Sequence, residues 1–201
     1  MLDELDAAGM KRIVPSLLSA LDALMRVDPT ILLGAPKMSW ADQLLNVDEE
    51  TERVSGWHDR MAASALGVDA YRRGLAFLKD RVDSLPDHNH VVHNDLLHFN
   101  VFVSDGQITG VIDWGNAIRG DFLYDLAMFT FYKPWYPAMA EIDWLGQAKH
   151  YYDEIGIRLP DGEERMRCYE VHLGLAGIAY GSFKENWVEV EANANRLLGR
   201  I

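Results

Sequence analysis

Cysteine is almost absent from this 201-residue chain: Cys168 stands alone. One thiol closes no intrachain disulfide, so stability must come from a packed core, and a reducing compartment such as the cytoplasm is expected. Positive charge is also scarce. Nineteen Lys and Arg face 31 Asp and Glu, a formal net charge of −12. That balance repels phosphate backbones and anionic lipid, so nucleic acid and membrane are excluded as main partners, while a small cationic molecule is attracted. Long apolar runs are missing, and none reaches the ~18 residues that cross a bilayer. The opening MLDELDAAGMKR has no basic stretch followed by an apolar one, so it does not read as a secretory signal. Repeats and low-complexity tracts are missing too. What is there, 49% hydrophobic and 25% charged residues, is the mixture of a soluble globular protein.

Helical spacing dominates the pattern. Ile13, Leu17, Leu18, Leu21, Leu24 and Met25 predict an amphipathic helix over 12–26, with Pro15 in its first turn. Residues 27–40 read as loop, 40–66 as helical with open boundaries, and Val68 to Val82 as a helix closed by Pro86. Then the texture changes. Val91-Val92-His93, Val101-Phe102-Val103 and Gln107 to Trp114 are β-prone, and Asp105-Gly106 between the last two predicts a hairpin. From Gly120 onward the pattern is helical, over about 121–133, 137–156, 162–181 and 184–199, with Asp121 placed to cap the first of these. The expected fold is mainly α with a small β-hairpin.

The chemistry sits around that hairpin. His93-Asn94-Asp95-Leu96-Leu97-His98-Phe99-Asn100 has the spacing H-x-D-x-x-x-x-N of a kinase catalytic loop, and Asp113-Trp114-Gly115 stands where such enzymes carry Asp-Phe-Gly. Phosphoryl transfer needs a carboxylate facing the acceptor hydroxyl and divalent cations on the phosphate oxygens. Asp95 fits the first role. Asn100 and Asp113, brought side by side by the hairpin, fit a Mg²⁺ site, because Mg²⁺ takes oxygen ligands and keeps waters. His88, His90, His93 and His98 crowd the same region, but their spacing does not match a zinc set on one element.

With the Gly110-Val111-Ile112-Asp113-Trp114 strand and Gly120-Asp121-x-x-Tyr124-Asp125-Leu126-Ala127, the loop resembles the aminoglycoside phosphotransferase family. Phe131-Tyr132-Lys133-Pro134-Trp135 and Leu173-Gly174-Leu175 resemble its hygromycin B phosphotransferases. The resemblance spans essentially the whole chain but only the C-terminal lobe of the family. It implies a protein-kinase-like C-terminal lobe over 1–201, with catalytic loop 93–100, metal loop 113–115 and helical substrate region 121–201. It implies Asp95 as catalytic base, His93 supporting the loop, Asn100 and Asp113 on Mg²⁺, Phe102 and Ile112 under the adenine or phosphates of ATP, and Asp121 and Asp125 as anchors. The implied reaction is ATP-dependent O-phosphorylation of a small-molecule hydroxyl, with an aminoglycoside such as hygromycin B as acceptor.

The motifs of the family's N-terminal lobe are missing from these residues. There is no G-x-G-x-x-G, no Walker A sequence and no strand-borne Val-Ala-x-Lys; Lys11, Lys37, Lys79, Lys133, Lys149 and Lys184 all lie in helical or loop contexts. The expectation is a C-lobe with the N-lobe absent, weak or no activity for the chain alone, and self-association through the surface an N-lobe would cover. Alternative acceptors are a macrolide, an amino alcohol, homoserine or a sugar, and a non-catalytic lobe that binds a ligand or partner is a further alternative. For a polycationic acceptor, candidate carboxylates are Asp121, Glu141, Asp143, Glu170, Glu185 and Glu189, with His98 near substrate or nucleotide. Trp135, Tyr136 and Trp187 either stack on a sugar ring or fill the core.

Overall fold

The computed structural model describes residues 1–32, 38–51, 54–97 and 100–201, and of Asp3 only the backbone. The chain forms two compact units, Met1–Lys37 with Asp87–Met166, and Met38–Pro86 with Arg167–Ile201.

The first unit begins with helix α1 (Ala7–Met25), which starts earlier than its apolar spacing predicts because Asp6 caps it, accepting from the Gly9 N–H. Pro15 therefore lies well inside the helix, not in its first turn. It is tolerated because it sits on the solvent side, where water can satisfy the carbonyl that a proline leaves without a donor. Met10, Ile13, Val14, Leu17, Leu18 and Leu21 form the buried stripe. Strand β1 (His90–Val92) follows, then the hairpin of β2 (Val101–Ser104) and β3 (Gln107–Val111). The hairpin turns on Asp105 and Gly106, both at positive φ (50° and 73°), the geometry that an Asp-Gly pair accommodates. Strand β3 ends three residues before Trp114 because Asp113 turns left-handed, with φ 61°.

One strand has no sequence signal. The short segment β4 (Ile118–Gly120) pairs antiparallel with β1, setting Val91 opposite Arg119. Helix α5 (Leu123–Tyr132) is buried almost all round, and α6 (Trp144–Glu154) sets Trp144 against Phe129, with ring centres 4.9 Å apart. The stretch predicted as one helix over 137–156 instead opens with a 3₁₀ turn at Pro137–Met139.

In the second unit the helical stretch expected over 40–66 is broken into α2 (Trp40–Leu45), a 3₁₀ turn at Asn46–Asp48 and α3 (Trp57–Met61). Helices α4 (Ala65–Lys79) and α8 (Trp187–Leu198) pack on one another within this unit. Helix α7 (Gly162–Phe183) contributes its residues from Arg167 onward, and Tyr169 receives a hydrogen bond from the Trp40 indole at 3.1 Å. Mainly helical, with two small antiparallel strand pairs, the fold matches the class expected from the sequence.

Candidate active site

The site lies in the first unit, where β1, the hairpin and the start of α5 meet. Chain leaving β1 enters the loop at His93, whose N–H donates to Asp125 Oδ2 at 2.8 Å, while the Asn94 N–H donates to Asp125 Oδ1 at 2.8 Å. One carboxyl of α5 thus grips two successive backbone groups. Asp125 is buried, and burial pushes its carboxyl up to about 7, against the two N–H bonds that favour the ionised form. The nearby Asp95 adds to the rise.

His93 is fully buried, and burial holds its ring below the usual imidazole range. Its Nε2 lies 2.9 Å from the Ile112 carbonyl. A carbonyl only accepts, so the neutral ring carries its proton on Nε2 and serves as a strut from the loop to the end of the hairpin. Trp114 meets the ring edge-on at 4.6 Å between centres.

Asp95 is half-buried and follows directly. Its backbone carbonyl accepts from Asn100 Nδ2 at 2.8 Å, and the Asn100 carbonyl accepts from the Ile112 N–H at 2.9 Å. This chain of bonds joins the base loop to the residue before Asp113. Both Asp95 and Asp113 act electrostatically on the His93 ring, each favouring its charged form against the effect of burial. Asp113, at φ 61°, points from an exposed turn (Trp114–Asn116).

The residues fit a Mg²⁺ ion by donor chemistry. The Asn100 amide spends a donor on Asp95, which leaves its Oδ1 as an acceptor, and the Asp113 carboxylate is exposed; both are hard oxygen donors. Phe102 and Ile112 are 42% and 47% exposed, unusual for such side chains. Gly110, the cross-strand partner of Phe102, shares its face, and a Cβ there would meet nothing within 4 Å. The hairpin therefore offers an open apolar face.

Other residues singled out in the sequence lie elsewhere. His98 falls outside the described residues. Asp121 does not line a cleft: it is fully buried, takes Arg165 Nε and Nη2 at 2.8 and 2.7 Å, and accepts the Leu123 N–H just ahead of α5, whose N-cap is Phe122. Glu170, in the second unit, is buried against Arg200 at 2.6 Å. A carboxylate closed in an ion pair has no face left for a ligand, so both substrate roles are corrected. Glu185 remains exposed, 3.8 Å from Arg60. Trp135 is 41% exposed and lines a cavity of about 560 Å³ with Leu2, Leu5, Asp6, Met10 and Met139, so it is not core. Sequence reasoning missed Asn94, whose side chain donates to the Asn116 carbonyl at 3.2 Å. The readable signal was an asparagine, a residue that tolerates positive φ, between the His and the Asp of the motif.

Comparison with known proteins gives the family and the fold. A family model described as APH, phosphotransferase enzyme family, matches residues 2–168. The hygromycin-B 4-O-kinase of Escherichia coli is 35% identical over 93 residues, which are 46% of this chain and 25% of that protein. The homoserine kinase of Neisseria meningitidis serogroup B is also 35% identical, over 98 residues, 46% of this chain and 32% of that protein. The chain thus spans about a quarter to a third of the length of these curated relatives. Among solved structures, a thermostable mutant of aminoglycoside phosphotransferase APH(4)-Ia in ternary complex with AMP-PNP and hygromycin B shares the fold. Its TM-score is 0.81 at 22% identity, over 99% of this chain and 67% of that one. With the H-x-D-x-x-x-x-N loop bonded to the Asp113 turn and the family model matching most of its length, this chain belongs to the phosphotransferase enzyme family.

Proposed function

We propose that this chain carries the phosphoryl-transfer site of an ATP-dependent O-phosphotransferase acting on a small cationic molecule, an aminoglycoside such as hygromycin B. The observation that carries the reading is the Asn100 amide bonded to the carbonyl of Asp95 at 2.8 Å. It supports the reading because it ties the residue proposed to bind metal to the residue proposed to accept the proton, two groups that phosphoryl transfer needs close together.

Asp95 receives the proton of the acceptor hydroxyl as its oxygen bonds to the γ-phosphorus and ADP leaves. The base needs placement more than basicity, because little proton transfer has occurred in a loose transition state. Asn100 and Asp113 would hold Mg²⁺, which would supply positive charge at the phosphate oxygens. Phe102 and Ile112, both exposed, would lie under the nucleotide, and His93, neutral and bonded to Ile112, keeps the loop on the hairpin. No glycine-rich loop or strand lysine occurs within these residues, so the 201-residue chain alone is expected to bind ATP weakly and turn over slowly. Cytoplasmic action suits both the ATP requirement and the lone buried thiol.

Homoserine is the second acceptor to test, because the similarity to a homoserine kinase is as high as that to the hygromycin kinase. Phosphate transfer from Mg-ATP to hygromycin B, a macrolide and homoserine is measured beside nucleotide binding by calorimetry. Asp95→Asn is expected to lower turnover by about 10²–10⁴-fold while leaving Mg-nucleotide affinity within about twofold. Turnover that survives this substitution refutes the base assignment, and a chain that binds no Mg-nucleotide is a non-catalytic lobe.

A further inference from the structure

We infer that Asn94 is a positioning residue whose side-chain amide ties the loop carrying Asp95 to the turn carrying Asp113. The inference rests on the phosphotransferase reading above and adds to it a residue that the motif leaves unspecified.

Asn94 makes two bonds in different directions. Its N–H is held by Asp125 at 2.8 Å, which fixes the backbone, and its Nδ2 reaches the Asn116 carbonyl at 3.2 Å. Asn116 closes the 3₁₀ turn that follows Asp113. Asn94 itself immediately precedes Asp95 in the chain. A single side chain therefore spans from the residue beside the base to the far end of the metal turn. The strut through His93 and the link through Asn100 both end at Ile112, on the near side of Asp113. Beyond Asp113 the loop meets the turn through the ring contact of His93 with Trp114 and through the hydrogen bond from Asn94 to Asn116.

The conformation separates two demands. At φ 60° the backbone of residue 94 is left-handed, which Gly adopts freely and Asn tolerates. Glycine would give the same chain path with no amide. The amide is thus not a by-product of the turn, and its removal changes the tether while keeping the path. Asp113 has the same left-handed conformation at φ 61° and is exposed; its turn is held at Trp114, which packs on His93, and Asn116 at the far end is reached by the Asn94 amide. The tether at Asn116 constrains the turn from that end, as outer partners commonly do for a metal-binding carboxylate.

The test uses the full chain with Asn94→Gly and, as a second variant, Asn94→Asp, which also accepts left-handed φ but offers no donor. Hydrogen exchange over residues 113–117 is expected to quicken in both variants, without any ligand. The affinity for AMP-PNP in the presence of Mg²⁺ is expected to fall about tenfold, with the affinity measured without Mg²⁺ unchanged and Tm within about 2 °C of the parent. Unchanged exchange over 113–117 overturns the tether. Faster exchange with unchanged Mg²⁺-dependent affinity overturns the positioning role. Asp113→Asn serves as the control: if it leaves Mg²⁺-dependent binding intact while exchange quickens in the Asn94 variants, the metal assignment fails and the positioning role falls with it, the tether alone standing.

Discussion

At the scale of single residues, Asp125 carries a tension that can be measured. Its carboxyl rises from the ordinary 3.8 to about 7 on folding, chiefly through burial. Between these values the native chain holds a proton that the unfolded chain has released. The stabilisation from this group is therefore complete below about pH 4 and is lost as pH climbs towards 7. The loop, however, is gripped best by the ionised carboxylate, which has an acceptor for each N–H. Wild-type Tm is expected to decline relative to Asp125→Asn as pH rises from about 4 to 7. Two parallel curves would show that the carboxyl does not titrate in that window. Asp95, Asn100 and Asp113 could be singled out in sequence because the roles proposed for them depend on a fixed short spacing. The hold of Asp125 on His93, across 32 positions, leaves no such spacing to read.

At the scale of elements, the hairpin and most helices follow from local rules, since an Asp-Gly turn and a 3.6-residue apolar period are decided by near neighbours. Strand β4 was not legible: three residues with mixed character form a strand only because β1 offers them partners. The length of α1 was understated because its first turn owes its start to Asp6, not to an apolar stripe. Close helix packing was equally hidden. Gly174 of α7 faces Leu197 of α8, and a Cβ at Gly174 would come 2.8 Å from the Leu197 Cβ, an atom that no rotamer change can move aside. Leu197 is also pressed by Gly74 of α4, where an added Cβ would lie 2.9 Å from its Cδ1. Gly174→Ala is expected to destabilise the protein by about 1–3 kcal/mol despite better helix propensity. A denaturant midpoint equal to or above that of the parent would contradict this close packing.

At the scale of the whole molecule, charge is the property that bears on the acceptor. A net charge of −12 draws a polycation from solution and does little for a zwitterion such as homoserine. Raising ionic strength from about 0.05 to 0.5 M shortens the Debye length to a few ångströms, so the KM for an aminoglycoside is expected to rise several-fold and that for homoserine to stay nearly level. Equal salt response for both acceptors would remove electrostatic attraction from the account.

The sequence by itself determined the chemical inventory: a proton acceptor, an amide and a second carboxylate at spacings that one tight hairpin can bring together. Composition also determined that the core is apolar and the surface acidic. Only the tertiary structure decided which acidic residues keep a free face. Asp121 and Glu170 look no different in sequence from a solvated carboxylate, yet each closes on an arginine, Asp121 on Arg165 and Glu170 on Arg200. A carboxylate's environment is set by what folds against it from far along the chain, and burying it without a partner would cost too much to survive. Spacing encodes which groups are near neighbours; packing decides whether they meet ligand, water or one another.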